Sequence, residues 1–406
     1  MGYKLVLEAL IMNILHTSDW HLGKYLEGYP RIAEQELFID ELCGICEEKE
    51  IELVIIAGDI YDSANPPAAA ETLFYKAIMR LADDGRRKII VAAGNHDSPA
   101  RLLAISPLVF RQGIIILGTA KTVIPVGVYG GFEITRSGEG FFEMLVNGVG
   151  VVIGYLAYPS EKNIDSLIYN MEGSGQAQFS DKVKDIIDRI NENFQEGSIN
   201  IFIGHFYIAG GSMEKSERDI SLGGSYAVSP GVLPKKADYI AMGHLHRPQA
   251  VAKTKNAFYS GSPIQYDKSE RRHPKCVFVA KLDKIANQVE KIYLRNYKPI
   301  EVWEAGSIEE AIDMCKENRG KDCFVYLEIK TSRVLKQSEF KEILSAKKDI
   351  IEITPILEPD GYTKNQGFNN DKPIEEEFIE FYNAKRGVAP AGELIKVFLE
   401  EARGLP

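Results

Sequence analysis

The chain has 406 residues, of which 45% are hydrophobic and 26% are charged, and its formal net charge is -10 at pH 7. This composition is typical of a globular protein, and the length predicts two or three domains. The negative charge excludes a general attraction to nucleic acid or anionic membrane, so a polyanion would need local cations or bound metal. The five scattered cysteines favour a reducing cytoplasm over a disulfide framework.

The N-terminal residues 1–11 do not fit a targeting signal. Glu8 interrupts their apolar pattern and no small-residue cleavage site follows, which makes a signal peptide a poor interpretation. We expect these residues to be an upstream extension, with the first strand beginning at Met12. No apolar run reaches the roughly 18 residues that a transmembrane helix needs, so we expect no membrane association.

From residue 13 to about residue 110, apolar runs rich in β-branched residues alternate with amphipathic segments, which predicts an α/β sheet. Helices are predicted at 34–48 and after Asn65, whose side chain can cap a helix that starts with two prolines. Between 114 and 156 short strands are broken by glycines, which predicts a second sheet packed on the first. A stretch rich in glycine and serine, 209–231, is long for a connection and is either functional or mobile.

The last part of the chain predicts separate units. Residues 286–358 follow a βαβαβ pattern whose first helix opens with a capping box at Ser307, which indicates a small accessory domain beside a main domain at 12–285. A polar segment at 359–373 indicates a linker. Two short helical segments then end the chain within 374–406, and they are too apolar for a solvated tail. They dock either on the body of the same chain or on another protein.

Metal-capable side chains follow five predicted strands at the point where each strand ends. Five of the seven histidines lie in this context, whereas His16 and His273 do not. Because strand ends of an α/β sheet meet at one edge, we expect these side chains to lie together. Imidazole, carboxylate and amide ligands without thiolates suit Mn²⁺, Fe²⁺ or Zn²⁺, and Asp59 suits a bridge between two ions. The strand-end side chains are Asp19, His21, Asp59, Asn95, His96, Asp97, His205, His244 and His246.

The sequence around these side chains resembles the calcineurin-like metallophosphoesterase superfamily. Five motifs of that superfamily are present in order, as Asp19-x-His21, Gly58-Asp59, Gly94-Asn95-His96-Asp97, Gly204-His205 and Gly243-His244-x-His246. The resemblance implies a two-sheet sandwich flanked by helices and a metal-dependent phosphodiester hydrolase. It implies a first set of metal ligands, namely Asp19, His21, Asp59 and His246. It implies a second set, namely Asp59, Asn95, His205 and His244. His96 would contact the scissile phosphate, with Asp97 as the partner that orients it.

Within the superfamily, residues 15–23, 58–62 and 243–249 look like the bacterial branch of DNA double-strand-break repair nucleases. This implies an exonuclease and endonuclease that uses two divalent ions, Mn²⁺ foremost, at DNA ends and hairpins in DNA repair, recombination and replication. It also implies a homodimer partnered with an ATPase, which the final helices would grip, while the accessory domain would cap DNA. Asp62 stands where archaeal and eukaryotic relatives usually carry histidine, so we do not assign it that histidine's catalytic role.

Two other functions stay open on the sequence alone. One is a small-substrate phosphodiesterase of the same superfamily, although Asp62-Ser63-Ala64 lacks the arginine that protein phosphatases of the superfamily carry here. The other is a DNA-end-binding scaffold with structural metals, which the intact motifs disfavour. Basic residues near the motifs and in the run 268–275 are candidates for DNA contacts, with surface or structural roles as the competing interpretation. These residues are Lys24, Arg101, Arg247, Lys268, Arg271 and Arg272.

Overall fold

The computed structural model describes residues 11–159, 176–214, 216, 227–283 and 286–357, and near the C-terminus residues 374–376, 378, 379, 382, 390 and 392–403. The predicted linker, part of the stretch 209–231 and most of the N-terminal extension lie outside these residues. The strands are, in chain order, β1 (Ile11–Thr17), β2 (Tyr25–Leu26), β3 (Tyr29–Pro30), β4 (Leu53–Ala57), β5 (Lys88–Ala92), β6 (Ile114–Leu117), β7 (Gly127–Tyr129), β8 (Phe132–Gly138), β9 (Phe141–Val146), β10 (Val149–Leu156), β11 (Ile199–His205), β12 (Tyr239–Gly243), β13 (Gln249–Ala250), β14 (Ala257–Tyr259), β15 (Cys276–Asp283), β16 (Gln288–Tyr293), β17 (Ile300–Ala305), β18 (Phe324–Thr331) and β19 (Ile350–Leu357). The α-helices are α1 (Ile32–Glu48), α2 (Ala68–Ala82), α3 (Pro99–Ala104), α4 (Ser106–Val109), α5 (Gln176–Asn191), α6 (Ile308–Glu317), α7 (Gln337–Ala346) and α8 (Gly392–Arg403).

Two sheets pack face to face and enclose the main core. The first has the order β16-β15-β1-β4-β5-β6, in which β1, β4, β5 and β6 are parallel. The second has the order β13-β14-β12-β11-β10-β9-β8-β7, in which β10, β11 and β12 are parallel. Helices cover the outer faces, which is why the parallel strands are buried on both sides. The predicted two-sheet sandwich flanked by helices is confirmed.

Side-chain alternation along each strand divides the core into layers. In β4, Leu53 and Ile55 face the second sheet, whereas Val54 and Ile56 pack with residues of α1 and α2. Helix α5 covers the other face of the second sheet, where Val183 joins the core. Because both faces of a central strand are buried, its register is fixed, and so is the point at which its carboxyl end emerges.

The first helices begin close to their predicted positions, with one difference in capping. α1 begins at Ile32, slightly before the predicted start. The predicted cap at Asn65 is wrong, because α2 begins at Ala68 with Pro67 in the N-cap position. Pro67 is extended, so the free amides of the first turn lie beyond the reach of Asn65. The Asn65 side-chain oxygen instead accepts a hydrogen bond from Arg101 at 2.9 Å.

The strands β17, β18 and β19 form a separate parallel sheet in that order. Helices α6 and α7 connect its strands, which is the βαβαβ arrangement read from the sequence. The arrangement begins at Ile300 and not at the predicted residue 286, because β16 pairs with β15 in the first sheet. The Ser307 hydroxyl accepts a hydrogen bond from the Glu310 backbone N–H at 3.1 Å and so caps α6. This accessory sheet contacts the main domain at the β2–β3 hairpin, where Leu26 packs with Phe324.

The C-terminal segments contact each other. Residues 374–376, 378, 379 and 382 are helical, as is α8. The Phe378 ring stacks on the Phe398 ring, with centroids 4.0 Å apart and an interplanar angle of 9°. Ile374 and Leu394 are exposed, so these segments present apolar side chains at the surface.

Two further features concern the whole chain. The five cysteines are free and buried. Within the ranges that the structure describes, no helix is both long enough and apolar enough to cross a membrane.

Candidate metal centre

The carboxyl ends of β1, β4, β5, β11 and β12 bring the predicted metal ligands into one place. Donor atoms of five of these residues and of His96 fall into three groups, and the atoms of each group lie within 4.8 Å of one another. Asp59 belongs to two of the three groups, one of which it forms with His21 and His96. Asn95 is only partly exposed, and the other predicted ligands are buried. The buried ligands are Asp19, His21, Asp59, His205, His244 and His246.

In the first set, two imidazoles face each other. His21 Nε2 lies 3.0 Å from His246 Nε2 and 3.6 Å from Asp59 Oδ2. A carboxylate oxygen of Asp19 lies within 4.8 Å of a nitrogen of each histidine. Two imidazole lone pairs at this distance repel each other, so a proton or a cation is needed to satisfy both.

In the second set, the Asn95 side-chain oxygen lies 3.0 Å from both His205 Nε2 and His244 Nδ1. Asp59 Oδ2 lies 3.3 Å from the same His205 nitrogen. Asp59 therefore borders both sets, which is the position expected of a bridging carboxylate. His205 Nδ1 lies 2.8 Å from the main-chain oxygen of Ala57, so Nδ1–H donates there and Nε2 faces the other ligands.

These separations fit divalent cations. Nitrogen and oxygen ligands lie about 2.1 Å from such an ion, so neighbouring ligands at right angles lie about 3 Å apart. Burial lowers the pKa of His244 to about 3, which keeps this imidazole neutral and able to bind a metal. Burial alone would raise the pKa of Asp59, but His205 and His96 outweigh it and hold that pKa well below its ordinary value. The Asp59 carboxylate is therefore ionised.

Four of the predicted ligands have strained backbone. Asp19, His21, Asp59 and His244 have φ angles of 53°, 44°, 52° and 101°, in the left-handed region that residues other than glycine rarely adopt. Hydrogen bonds between the loops hold these conformations: Asp19 N donates to Gly58 O at 3.0 Å, and His244 N donates to Asp19 Oδ1 at 3.0 Å. Backbone strain of this kind clusters at functional sites, because only a surrounding fold can maintain it.

His96 lies beside the ligands. Its Nε2 is 3.9 Å from Asp59 Oδ2, and its Nδ1 is 2.7 Å from the main-chain oxygen of Asp62. The group that orients the ring at Nδ1 is therefore Asp62, not Asp97 as predicted. The turn after β5 directs the Asp97 carboxylate toward main-chain amides, so that it fixes two loops instead. Its hydrogen-bond donors are the backbone N–H groups of Ile60, Tyr61 and Gly94.

Three of the basic candidates for DNA contact are paired with carboxylates. The pairs are Lys24–Asp62 at 2.7 Å, Arg101–Glu71 at 2.9 Å and Lys268–Glu328 at 2.8 Å. The remaining candidates, Arg247, Arg271 and Arg272, are partly or fully exposed. Their contacts with DNA stay predictions.

A cavity of about 170 Å³ adjoins the second set. Its lining includes Asn95, Thr119, Lys121 and Tyr158. The Tyr158 ring lies 6.4 Å from the His205 ring, nearly perpendicular to it at 73°. Small apolar residues, one aromatic ring and several polar groups thus line a space next to the candidate metal ligands.

Two further residues lie behind the first set. The sequence assigns no role to Glu270, whereas Lys275 ends the basic run 268–275, which is a candidate for DNA contacts. The Glu270 carboxylate is buried and lies 3.2 Å from His246 Nδ1, and Lys275 is buried against Glu270. Burial would raise the pKa of Glu270, but Lys275 and His246 outweigh it and hold the pKa well below its ordinary value. In the sequence, Glu270 stands out only as an acidic residue inside a basic run. That pattern does not predict that the side chains of Glu270 and Lys275 are buried.

Similarity to known proteins extends over most of the chain. Residues 12–248 match the model of the family described as calcineurin-like phosphoesterase. Over 401 residues the chain is 36% identical to the SbcD component of the nuclease SbcCD from Bacillus subtilis (strain 168), and the match covers 97% of this chain and 98% of that relative. Among solved structures, a dimetal phosphatase from Danio rerio aligns with a TM-score of 0.36 and 11% identity, over 69% of this chain and 98% of that chain.

Proposed function

Because the chain belongs to the calcineurin-like phosphoesterase family, and within it to the SbcD-type nucleases, we propose that it hydrolyses DNA phosphodiester bonds with two divalent ions. The observation that carries this proposal is the position of Asp59. Its Oδ2 lies 3.6 Å from His21 of the first set and 3.3 Å from His205 of the second. One anionic group between two cations lowers their mutual repulsion and so supports a paired site.

Mn²⁺ is the metal that we propose for both sets, because the resemblance to SbcD-type nucleases implies it. The imidazole, carboxylate and amide ligands suit Mn²⁺ as well as Fe²⁺ and Zn²⁺. The first set would hold one ion and the second set the other. When bound, the ions supply Lewis-acid polarisation of the phosphate and lower the pKa of the attacking water. Because the ligands are buried, the low dielectric around them would strengthen the attraction between the bound cations and an anionic phosphodiester.

We assign the proton transfer of the reaction to His96. Its Nδ1–H donates to the Asp62 main-chain oxygen, which fixes the ring and leaves Nε2 as the reactive nitrogen. Nε2 lies 3.9 Å from the carboxylate that borders both sets, so it is within reach of a phosphate held there. In its protonated form, Nε2 would stabilise the phosphate charge and give its proton to the leaving oxygen. Asp97 contributes by fixing the loops that carry Asp59 and His96.

The substrates that we propose are DNA ends and hairpins. The cavity beside Asn95 offers space for part of a nucleotide next to the ligands.

The relative's name describes one component of the SbcCD nuclease, and we propose by analogy that this chain works as a homodimer with an SbcC-type ATPase. The C-terminal helices would bind the ATPase, since exposed Ile374 and Leu394 offer it apolar surface. The free cysteines fit a cytoplasmic location.

The proposal is tested by incubating the purified full chain with blunt duplex DNA, hairpin DNA and bis(p-nitrophenyl) phosphate, with and without Mn²⁺. We expect Mn²⁺-dependent cleavage of both DNA substrates, with a higher kcat/KM than for the generic diester. Asp59→Asn is the matched control, and it should remove the activity on all three. A higher kcat/KM for the generic diester would favour a small-substrate phosphodiesterase, and no turnover of any substrate would overturn the proposal.

A further inference from the structure

A buried polar cluster lies directly behind the first set of ligands. His246 presents Nε2 to His21, at 3.0 Å, and Nδ1 to the opposite side. On that side, Nδ1 lies 3.2 Å from Glu270 Oε1 and 2.7 Å from the Ser216 hydroxyl oxygen. Glu270 belongs to a short 3₁₀ helix, Lys268–Arg272, and is fully buried. The motifs of the metal centre include neither Glu270 nor Ser216.

The hydrogen bonds of this cluster determine which nitrogen of His246 carries the proton. The Ser216 hydroxyl donates to Glu270 Oε1, so its oxygen can only accept from His246. The ionised carboxylate of Glu270 can likewise only accept. His246 Nδ1 is therefore the protonated nitrogen, and Nε2 carries the lone pair on the side of the other ligands.

Lys275 compensates the buried charge of Glu270 and holds the backbone of the ligand as well. Its ammonium group donates to Glu270 Oε2, to the Ser262 hydroxyl at 2.8 Å and to the main-chain oxygen of His246 at 3.0 Å. A buried carboxylate is costly without such a partner. The ion pair thus contacts His246 at two points: Glu270 contacts its ring, and Lys275 hydrogen-bonds to its main chain.

We propose that the buried Glu270–Lys275 pair positions His246 for metal binding, by fixing its tautomer and the direction of Nε2. This inference rests on the proposed role of His246 as a metal ligand. Carboxylates that accept the second N–H of a ligating histidine raise its basicity and hold its ring, and their loss weakens metal binding about 10- to 100-fold. A pair that served stability alone would leave the metal affinity unchanged when it was replaced.

The test is a calorimetric titration of the full chain with Mn²⁺. Removal of Glu270 alone would leave Lys275 uncompensated and could unfold the chain, so the variant replaces both charges, as Glu270→Leu/Lys275→Met. Apolar pairs of similar volume often replace a buried ion pair without loss of stability. We expect one of two Mn²⁺ affinities to fall about 10- to 100-fold while the other stays near its wild-type value.

The matched control is Arg31→Met/Glu34→Leu, which removes another buried ion pair, 2.9 Å long, at the start of α1. This control should keep both Mn²⁺ affinities even if its thermal midpoint falls. Wild-type affinities in a folded Glu270→Leu/Lys275→Met variant would overturn the positioning role and leave the proposed function intact. An equal loss in the control would overturn it too. A wild-type chain that bound no Mn²⁺ would overturn the proposed function, and the positioning role with it.

Discussion

His96 Nε2 and Asp59 Oδ2 lie 3.9 Å apart, and we propose different roles for the two residues. Asp59 is buried and borders both ligand sets, whereas His96 is held through Nδ1 by the main-chain oxygen of Asp62. Replacement of a metal ligand lowers the metal content, whereas replacement of a residue that acts only on the substrate lowers turnover and keeps the metal. Metal content and turnover therefore separate the two roles.

We predict that His96→Ala keeps both metal ions and loses phosphodiester cleavage. The imidazole is needed for proton transfer and charge stabilisation, which contribute about 10²- to 10⁴-fold to a rate. Elemental analysis should find the wild-type Mn²⁺ content, while kcat falls by that factor in a nuclease assay. The control is His244→Ala, which should lose metal. Metal loss in His96→Ala would show instead that His96 is a ligand.

A second comparison ranks the carboxylates of the β4 loop. Asp62 pairs with Lys24 at 2.7 Å and lies 3.7 Å from His21 Nδ1. Asp62→Asn therefore affects only the side of the His21 ring that faces away from the other predicted ligands. We expect that variant to lose about tenfold in kcat/KM, as is common for groups behind a metal ligand. Asp59→Asn should lose at least about ten times more, because it removes the carboxylate that borders both ligand sets and would bridge two ions. Equal losses in a nuclease assay would refute this order.

At the residue scale, the sequence predicts the strand-end side chains but not what holds them. His96 and Asp59 stand out because each follows an apolar strand. The contact of His96 with the Asp62 carbonyl involves a backbone atom, which no side-chain pattern encodes. The contact of Glu270 with His246 is not predictable either. It depends on a turn that brings the buried Glu270 side chain against a residue 24 positions earlier.

The strand ends approach one another so closely that several of their glycines, Gly94 and Gly243 among them, leave no room for a side chain. A Cβ at Gly243 would lie 1.9 Å from the Ala57 main-chain oxygen, which His205 contacts through Nδ1. A Cβ at Gly94 would lie 2.2 Å from Asp59 Oδ1. These glycines therefore set the spacing between strand ends of the two sheets and between neighbouring ends of the first.

We predict that Gly243→Ala weakens both stability and metal binding. The new methyl group must push β12 away from β4, and overpacking of this kind costs about 1–3 kcal/mol or more. Urea unfolding of the metal-free chain should show the loss, and a Mn²⁺ titration should show weaker binding. The matched control is Gly44→Ala on α1, where nothing lies within 4 Å of the new Cβ. That variant should gain about 0.5–1 kcal/mol, because glycine disfavours a helix interior. Equal effects of the two substitutions would contradict the close-approach account.

At the element scale, long periodic segments are predictable and short ones are not. The alternation of apolar strands and amphipathic helices gives the first sheet because buried strands and helices have distinct periods. The hairpin of β2 and β3 is missed, since strands as short as Tyr25–Leu26 carry no period. The cap of α2 is also missed, because the extended Pro67 places Asn65 too far from the helix.

At the scale of the whole molecule, the family predicted from the five motifs is confirmed by the match over residues 12–248. The packing of the accessory sheet is not predictable in the same way. The Tyr29 hydroxyl donates to the main-chain oxygen of Ile350 at 3.2 Å, across 321 positions of sequence. Such contacts depend on how two completed units meet, and neither unit's periodicity contains that information.

We predict that deletion of residues 375–406 separates catalysis from assembly. The proposed metal ligands lie within β1–β12 and the loops that follow these strands, far in sequence from the stacked Phe378 and Phe398. The shortened chain should keep Mn²⁺-dependent cleavage of simple DNA substrates and lose binding to the partner ATPase. A pull-down with the ATPase, beside a nuclease assay without it, measures both. Retained ATPase binding would place the interface elsewhere on the chain.

We propose that strand ends of the two packed sheets together hold two metal ions, with Asp59 between them. Calorimetric titration of the metal-free chain with Mn²⁺ tests it most directly, because it counts bound ions without any substrate. We predict two ions per chain for the wild type and fewer than two, or much weaker binding, for Asp59→Asn. A single ion per chain, or two ions bound equally well by Asp59→Asn, would contradict the account.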